Sequence, residues 1–547
     1  MVSVTRISFV LATLTLGVYA ANHSASSFSY TRASLFALLF YIPLHVAWGL
    51  FLYPLYFSPF LALPQAPREG GWRSFFKPRD SRQMLRWMES IPNDGLIRYL
   101  EIFNTEVVAV TTPRGAAEFL QARADQYARN PRNRAILENV MGTGLVVAEG
   151  MDHKYQRKHL LPAFNARVIK NLYPSFWTKA AEMVTLIKRE IETGPKAEKA
   201  SAPVNIDDWA GRVALDIIGQ SGFGSDFSSL SDPHTALNTS YRAAFAPRGN
   251  AQLIYVLSFF ISPKLLHVLP GKNSILFREG IRSVTEWVRN LLQARAADMY
   301  NHVGEPNYID NNGQRDIIAA AMKTKAFSTE DLVHQSKTLL GAGHETSATA
   351  VTWGIYVLSQ PRYAHIQHRL REEIRANLPS PSSGIEVTAD MLDKLPYLDA
   401  VSKEIIRVYA PIPVVGRVAQ QDTDLLGVKI PKGTLIRLHI WAMNQAKQFW
   451  GDDAHEFNPE RWLVGTERAI GGATDSLAYL TFGHGPKSCI GRGFAIGENK
   501  AILAALIGSF DFKPVPGTDP DDINILWRIT ARIIGGYDVQ TTVLEGW

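Results

Sequence analysis

Phe482-Gly483-His484-Gly485-Pro486-Lys487-Ser488-Cys489-Ile490-Gly491 is the stretch on which the reading of this chain turns. Cys489 is the only cysteine in 547 residues. A single thiol makes no internal disulfide and no Cys-rich zinc site. It is left as a catalytic nucleophile, a buried core residue, or the sole thiolate ligand of a metal. Gly485 and Gly491 favour the last, because glycine allows torsions and close approach closed to other residues. Beyond the cysteine, Phe494, Ala495, Ile496, Ala501, Ile502, Ala505 and Leu506 recur at near-helical spacing, which predicts a helix from Arg492 to about Phe510. The sulfur then sits in a loop just before a helix N-terminus, where backbone N–H groups and the positive dipole end stabilise a thiolate. A cysteine hydrolase would need an oriented base, and His484 is the one candidate nearby.

The pattern Phe-x-x-Gly-x-x-x-Cys-x-Gly resembles the heme-binding loop of the cytochrome P-450 family. That resemblance implies Cys489 as the axial thiolate of heme b (iron protoporphyrin IX), a ligation that favours O–O cleavage. Phe482, Gly485 and Gly491 fall on the loop's fixed positions. Lys487 departs from it, since the family usually has Arg or His there. A lysine opposes a heme propionate as a point charge, without a planar two-pronged contact.

Further segments extend the resemblance in order along the chain. Glu404 and Arg407, three apart, share a helix face within the apolar stretch Pro396–Pro411. Arg461 follows in Phe457-Asn458-Pro459-Glu460-Arg461-Trp462. By resemblance Glu404, Arg407 and Arg461 form the network that holds the thiolate loop. Gly341-Ala342-Gly343-His344-Glu345-Thr346-Ser347 interrupts a predicted helix, Leu332 to Leu358, with poor helix formers. It is similar to the oxygen-activation segment of the family, where an acid followed by Thr relays protons. Those residues are Glu345 and Thr346, and the chemistry needs a carboxylate beside a hydroxyl because protons must reach a buried oxygen. His344 is expected to face away from the iron. His153 and Arg157, four apart, and Arg417 match the family's heme-propionate partners. Ala342, Ile412, Val414 and Val415 are the expected walls of the substrate pocket.

The resemblance runs from about residue 64 to the C-terminus and implies a mainly α fold with a small β-rich part. Helices are predicted at Trp177–Ile191, Val213–Gly222, Ile281–Tyr300 and Arg362–Asn377, and β signals at Glu106–Thr112 and Leu425–Leu438. Ahead of the catalytic domain, residues 67–547, lies a predicted membrane anchor, residues 1–66. It holds apolar runs at about 7–21 and 34–56 and ends in Leu63-Pro64-Gln65-Ala66-Pro67. The first run also fits a signal-peptide core. The Lys/Arg excess after the hinge places the main domain on the cytosolic side of an endoplasmic-reticulum membrane. Asn22-His23-Ser24 would then offer Asn22 as a lumenal glycan acceptor. Ala251–Pro270 is a third apolar stretch, which would either dip into the membrane surface or form an ordinary buried helix pair.

The net charge of +6 is modest for this length, and no clustered basic-aromatic pattern points to nucleic acid. Lys154, Arg157, Lys158, Lys487, Arg492 and Lys500 all fall near the thiolate loop. By analogy that is the docking face for NADPH–cytochrome P-450 reductase, with cytochrome b5 a second candidate donor. The chain looks most like fungal microsomal members, which implies a monooxygenase acting on a lipophilic small molecule of secondary metabolism. Fatty-acid or xenobiotic hydroxylation, or a heme-thiolate isomerase or dehydratase, are the alternatives. The Glu345-Thr346 pair favours the monooxygenase.

Overall fold

The computed structural model describes residues 43–70, 75–76, 78–194, 201–245, 272–301, 316–463, 470–527 and 529–547. Helices carry most of the mass. α1 (Ser81–Ser90), α2 (Pro131–Met141), α3 (Gly150–Leu160), α4 (Tyr173–Thr193), α5 (Ile206–Phe223) and α6 (Ala236–Phe245) come first. They are followed by α7 (Lys272–Asn301), α8 (Thr329–Leu358), α9 (Ala364–Asn377), α10 (Pro396–Val408) and α11 (Arg492–Ser509).

Local chemistry sets the helix ends that matter for the site. Ser328 caps α8 in a reciprocal capping box with Asp331. Asn205 accepts from the Asp208 N–H at the start of α5, and Asp207 and Asp208 lie in its first turn. α5 stops at Gly224, whose φ of 58° is left-handed. α8 lies along α5, and α11 packs on α4 and α8. Their buried faces make the main core, with Phe176, Val213, Leu340, Trp353 and Leu506 among its members.

A second core covers a five-stranded sheet in the order β1-β2-β8-β5-β3. Its strands are β1 (Leu96–Leu100), β2 (Glu106–Val110), β3 (Tyr127–Ala128), β5 (Val415–Ala419) and β8 (Leu435–Leu438). Only β2 and β8 pair in parallel, with Val107 opposite Leu435. β4 (Ser201–Asn205), β12 (Asp538–Val543) and β9 (Phe510–Pro514) form a three-stranded sheet, with β12 in the middle. Two hairpins complete the β part: β6 (Thr423–Leu425) with β7 (Val428–Ile430), and β10 (Ile525–Trp527) with β11 (Ala531–Ile533). The single β signal read over Leu425–Leu438 is therefore several strands. Leu426 and Gly427 turn the chain at positive φ, which ends β6.

Among the described residues, no helix is long and apolar enough to cross a membrane. Residues 7–21, the start of the second run, Asn22 and Ala251–Pro270 lie outside the described residues. Residues 43–57 are helical, Trp48–Phe57 in a wider π-type winding with Pro54 inside. Leu44, Val46, Trp48, Phe51, Tyr56 and Phe57 are exposed. The end of this segment is bonded to the sheet. Phe60 is buried in the second core, and the Arg98 backbone donates to Pro64 O at 2.8 Å and accepts from Ala66 N at 2.9 Å.

Candidate functional site

The loop carrying Cys489 is fixed by its backbone. Cys489 N donates to Phe482 O at 2.8 Å, and the Gly491 N–H points at the sulfur. Gly485 has φ +68°, and a Cβ there would meet Leu120 O at 2.3 Å, so the loop admits only glycine at this point. Gly491 corrects the sequence reading in part. Its φ of −87° is open to any residue, and a Cβ there would make only ordinary contacts, with Phe164 at 3.8 Å and Cys489 Sγ at 4.0 Å. The Phe482 ring lies under the Arg492 guanidinium at 5.5 Å.

Cys489 is solvent-accessible, yet burial among protein atoms pushes its thiol up, against the opposing pull of the Gly491 N–H, Arg157 and Arg492. The two observations agree if the sulfur faces an internal hollow rather than the outer surface. Cations gather beside it. Burial, then Arg157, Arg129 and Arg417, pushes His153 down to about 4. Burial, then Arg129, pushes Arg417 down to about 9. Lys487 falls to about 8 through burial and the neighbouring Arg129 and Arg134. The cations disfavour one another's charge, and Glu149 is the acid among them. Its carboxylate takes the Lys487 ammonium and the Arg129 N–H. Such a cluster suits a ligand bearing further negative charge. The two propionates of heme b would supply that charge and Cys489 a thiolate for its iron, so the donor set fits heme b.

The sequence-predicted residues do not all do the same thing. His153 is buried and faces the cations. Arg157 instead grips the thiolate loop, donating to Ser488 O at 2.7 Å and Ser488 Oγ at 3.3 Å. Lys487 has its charge met by Glu149. Arg417 bonds the Gly416 carbonyl at 2.9 Å. Arg129 joins this cluster although no sequence spacing ties it to the cysteine.

Glu404, Arg407 and Arg461 meet in the core. Arg407 makes a two-pronged contact with Glu404, 2.8 Å on each arm, and neither side chain is exposed. Arg461 Nε, Trp462 Nε1 and the Asn458 N–H also donate to the Glu404 carboxylate, at 3.1, 2.9 and 2.9 Å. Arg407 also donates to the carbonyls of Asn444, Ala454 and Glu456.

In α8, residues 347–358 are buried without a break, whereas Ala342 to Thr346 are half-buried. Ile412, Val414, Val415 and Arg417 share that partial exposure. The Thr346 hydroxyl donates back to Ala342 O at 2.8 Å. The Glu345 carboxylate is not beside it. Glu345 Oε1 accepts from Thr530 Oγ1 at 2.7 Å and lies 3.7 Å from Arg532. His344 is turned to Tyr241 Oη and Gly211 O, both at 2.9 Å. On the outer side, Lys154 and Lys158 of α3 are exposed with Met151 and Tyr155. Lys500 is not part of that basic face. It is buried and paired with Asp399 at 2.7 Å, because this side of α11 packs inward.

A family model described as cytochrome P-450 matches residues 83–540. Fungal relatives match almost throughout. The cytochrome P-450 monooxygenase sphH of Aspergillus fumigatus is 37% identical over 507 residues, 91% of each chain. The cytochrome P-450 monooxygenase FUM15 of Gibberella moniliformis is 34% identical over 580 residues, 96% of each chain. The cytochrome P-450 monooxygenase ptmK of Penicillium ochrochloron is 34% identical over 499 residues, 89% of this chain and 94% of the relative.

Proposed function

This chain belongs to the cytochrome P-450 family, and on that premise we propose that it inserts one oxygen atom of O2 into a lipophilic intermediate of fungal secondary metabolism. The observation that carries this reading is the accessible Cys489 thiol in a backbone-fixed loop with mutually repelling cations around Arg129 and Arg417; the partly exposed stretch of α8 from Ala342 to Thr346 supports it. Heme b supplies the reductive activation of O2 when bound there.

The chain's own residues have separate tasks. Cys489 would bind the heme iron through its thiolate, and Arg157 steadies the loop that carries it by bonding Ser488 O. Arg129, His153 and Arg417 would hold the heme propionates. Lys487 contributes less than its family counterpart, because Glu149 already takes its charge. Glu404, Arg407 and Arg461 are structural. The Thr346 hydroxyl holds and passes a proton at Oγ1, and Glu345 supplies it after turning from Thr530. Ala342 leaves room beside them, and Ile412, Val414 and Val415 give the substrate an apolar wall.

Electrons come from a redox partner, for which NADPH–cytochrome P-450 reductase is our assignment, docking on the exposed Lys154 and Lys158. Residues 1–66 anchor the chain in the endoplasmic-reticulum membrane, with residues 67–547 as the cytosolic catalytic domain. The exposed apolar side chains of residues 44–57 support membrane contact. The test is the reduced, CO-bound absorption spectrum of the purified protein. Product analysis with NADPH, reductase and a panel of lipophilic compounds follows. A spectrum without the thiolate band overturns the reading.

A further inference from the structure

Glu345 is held by a part of the chain far from it in sequence. Thr530 and Arg532 flank Ala531 at the start of β11, and residues two apart on a strand project to the same side. Thr530 is 3% exposed, and its hydroxyl donates to Glu345 Oε1 at 2.7 Å. Arg532 stands 3.7 Å from the same oxygen and donates to Asp207 Oδ2, in the first turn of α5, at 2.9 Å. Asp207 also receives the Thr352 hydroxyl from α8 at 3.4 Å. Burial works against the Arg532 charge, but Asp207 and Glu345 together more than offset it and hold its pKa up.

The base of this arrangement is rigid. Ala531 N donates to Pro411 O at 2.8 Å, and Ala531 O accepts from Trp353 Nε1 at 2.8 Å. Both backbone groups of the residue between Thr530 and Arg532 are therefore tied, one to the loop ahead of β5 and one to α8 itself. Trp527, opposite Ala531 in the hairpin, packs edge-on against Trp441 at 5.0 Å. Side chains on such a base keep their aim.

We propose that Thr530 and Arg532 are positioning residues for the proton-relay acid Glu345, with Asp207 fixing Arg532. The inference rests on the monooxygenase reading. The hairpin contacts hold the carboxylate in one fixed orientation, where it takes up its proton and from which it turns toward Thr346.

The test uses the full-length holoenzyme with NADPH and reductase and no added substrate. NADPH consumption and peroxide release are followed in H2O and in D2O. Glu345→Gln is the reference for a damaged relay: slower consumption and a larger D2O effect. Thr530→Val and Arg532→Gln are expected to shift both readouts the same way, by roughly three- to tenfold in rate, the weight of one hydrogen bond. Arg532→Lys restores most of the loss. Adding Arg532→Gln to Glu345→Gln costs nothing further, because both act through one carboxylate. Unmoved D2O ratios in Thr530→Val and Arg532→Gln overturn the proposal, as do losses that add to those of Glu345→Gln. If Arg532→Gln does not fold, Thr530→Val decides alone, since it removes a hydroxyl with little change of shape. A wild-type protein lacking the thiolate band sinks the monooxygenase reading and this proposal together. An intact band with unmoved ratios sinks this one only.

Discussion

Ser347 donates a 2.5 Å hydrogen bond to Glu498 Oε2, joining α8 to α11 across the core. Ser347 is 2% exposed and Glu498 not at all. Glu498 Oε1 has no hydrogen-bond partner among the described residues. A buried carboxyl with one bond is better off neutral.

That relationship predicts a pH dependence. Burial raises the Glu498 pKa from 4.5 to about 8, and the Ser347 bond lowers it only in part. The folded state thus keeps a proton that the unfolded state releases. Its stability contribution is full below about pH 4.5 and is lost as pH rises through about 8. Glu498→Gln keeps the shape and removes the ionisation. Thermal denaturation from pH 5 to 9 should show Tm falling with pH in the wild type and a flatter profile in the variant. Parallel profiles would mean that Glu498 is ionised in the fold.

The thiolate assignment predicts a sharp loss. The loop is fixed by backbone bonds, Cys489 N to Phe482 O among them, so Cys489→Ser should fold with the loop in place. The Soret band of a thiolate-ligated, CO-bound heme should nevertheless disappear, since no second cysteine exists to replace the ligand. Retention of that band in the variant would rule Cys489 out.

The core network predicts an order of effects. Removing Glu404 leaves Arg407 as a charge with no exposure and no carboxylate. Breaking a buried pair in this way costs about 3–5 kcal/mol. Arg461 has Asp453 as a second partner at 2.7 Å, so the loss of either contact is shared. Glu404→Ala should therefore lower the urea midpoint far more than Arg461→Gln, and should release heme earlier in the titration. Equal midpoints would place the weight of the network elsewhere.

How much of this was legible in the sequence differs by kind of residue. The long helices were, because α4 carries an apolar face at helical spacing and α5, α8 and α11 carry long apolar-rich runs that are buried almost all round. Cys489, the Glu404–Arg407 pair and the Glu345-Thr346 step were visible because their chemistry lies within a few residues. Arg129, Glu149, Asp207 and Thr530 were not. Each meets its partner across a large sequence separation, as Thr530 does Glu345, and no periodicity encodes that. The aim of Glu345 was likewise hidden, since spacing puts it beside Thr346 but only β11 decides where the carboxylate turns. Lys500 was misplaced because a lysine reads as solvated until acids such as Asp399 appear opposite it.

The N-terminal segment predicts where a truncation becomes costly. Arg98 is 2% exposed, and it depends on residues ahead of the sheet. Its side chain donates to Gln65 Oε1 at 2.8 Å and to the Pro54 carbonyl, and pairs with Glu106 at 2.5 Å. Ser58 Oγ donates to the same Glu106, and Asn104 donates to Leu50 O at 2.6 Å. Phe60 fills a slot in the second core. Deleting residues 1–42 spares all of these contacts. Deleting residues 1–63 removes Phe60 and takes one partner each from Arg98 (Pro54 O), Asn104 (Leu50 O) and Glu106 (Ser58 Oγ). By the cost of one large buried side chain, the longer deletion should lose about 3–5 kcal/mol, while the shorter one loses little. Denaturant midpoints of the two truncated proteins against the full chain decide it. Equal midpoints would show that residues 43–63 are a tether rather than part of the folded domain.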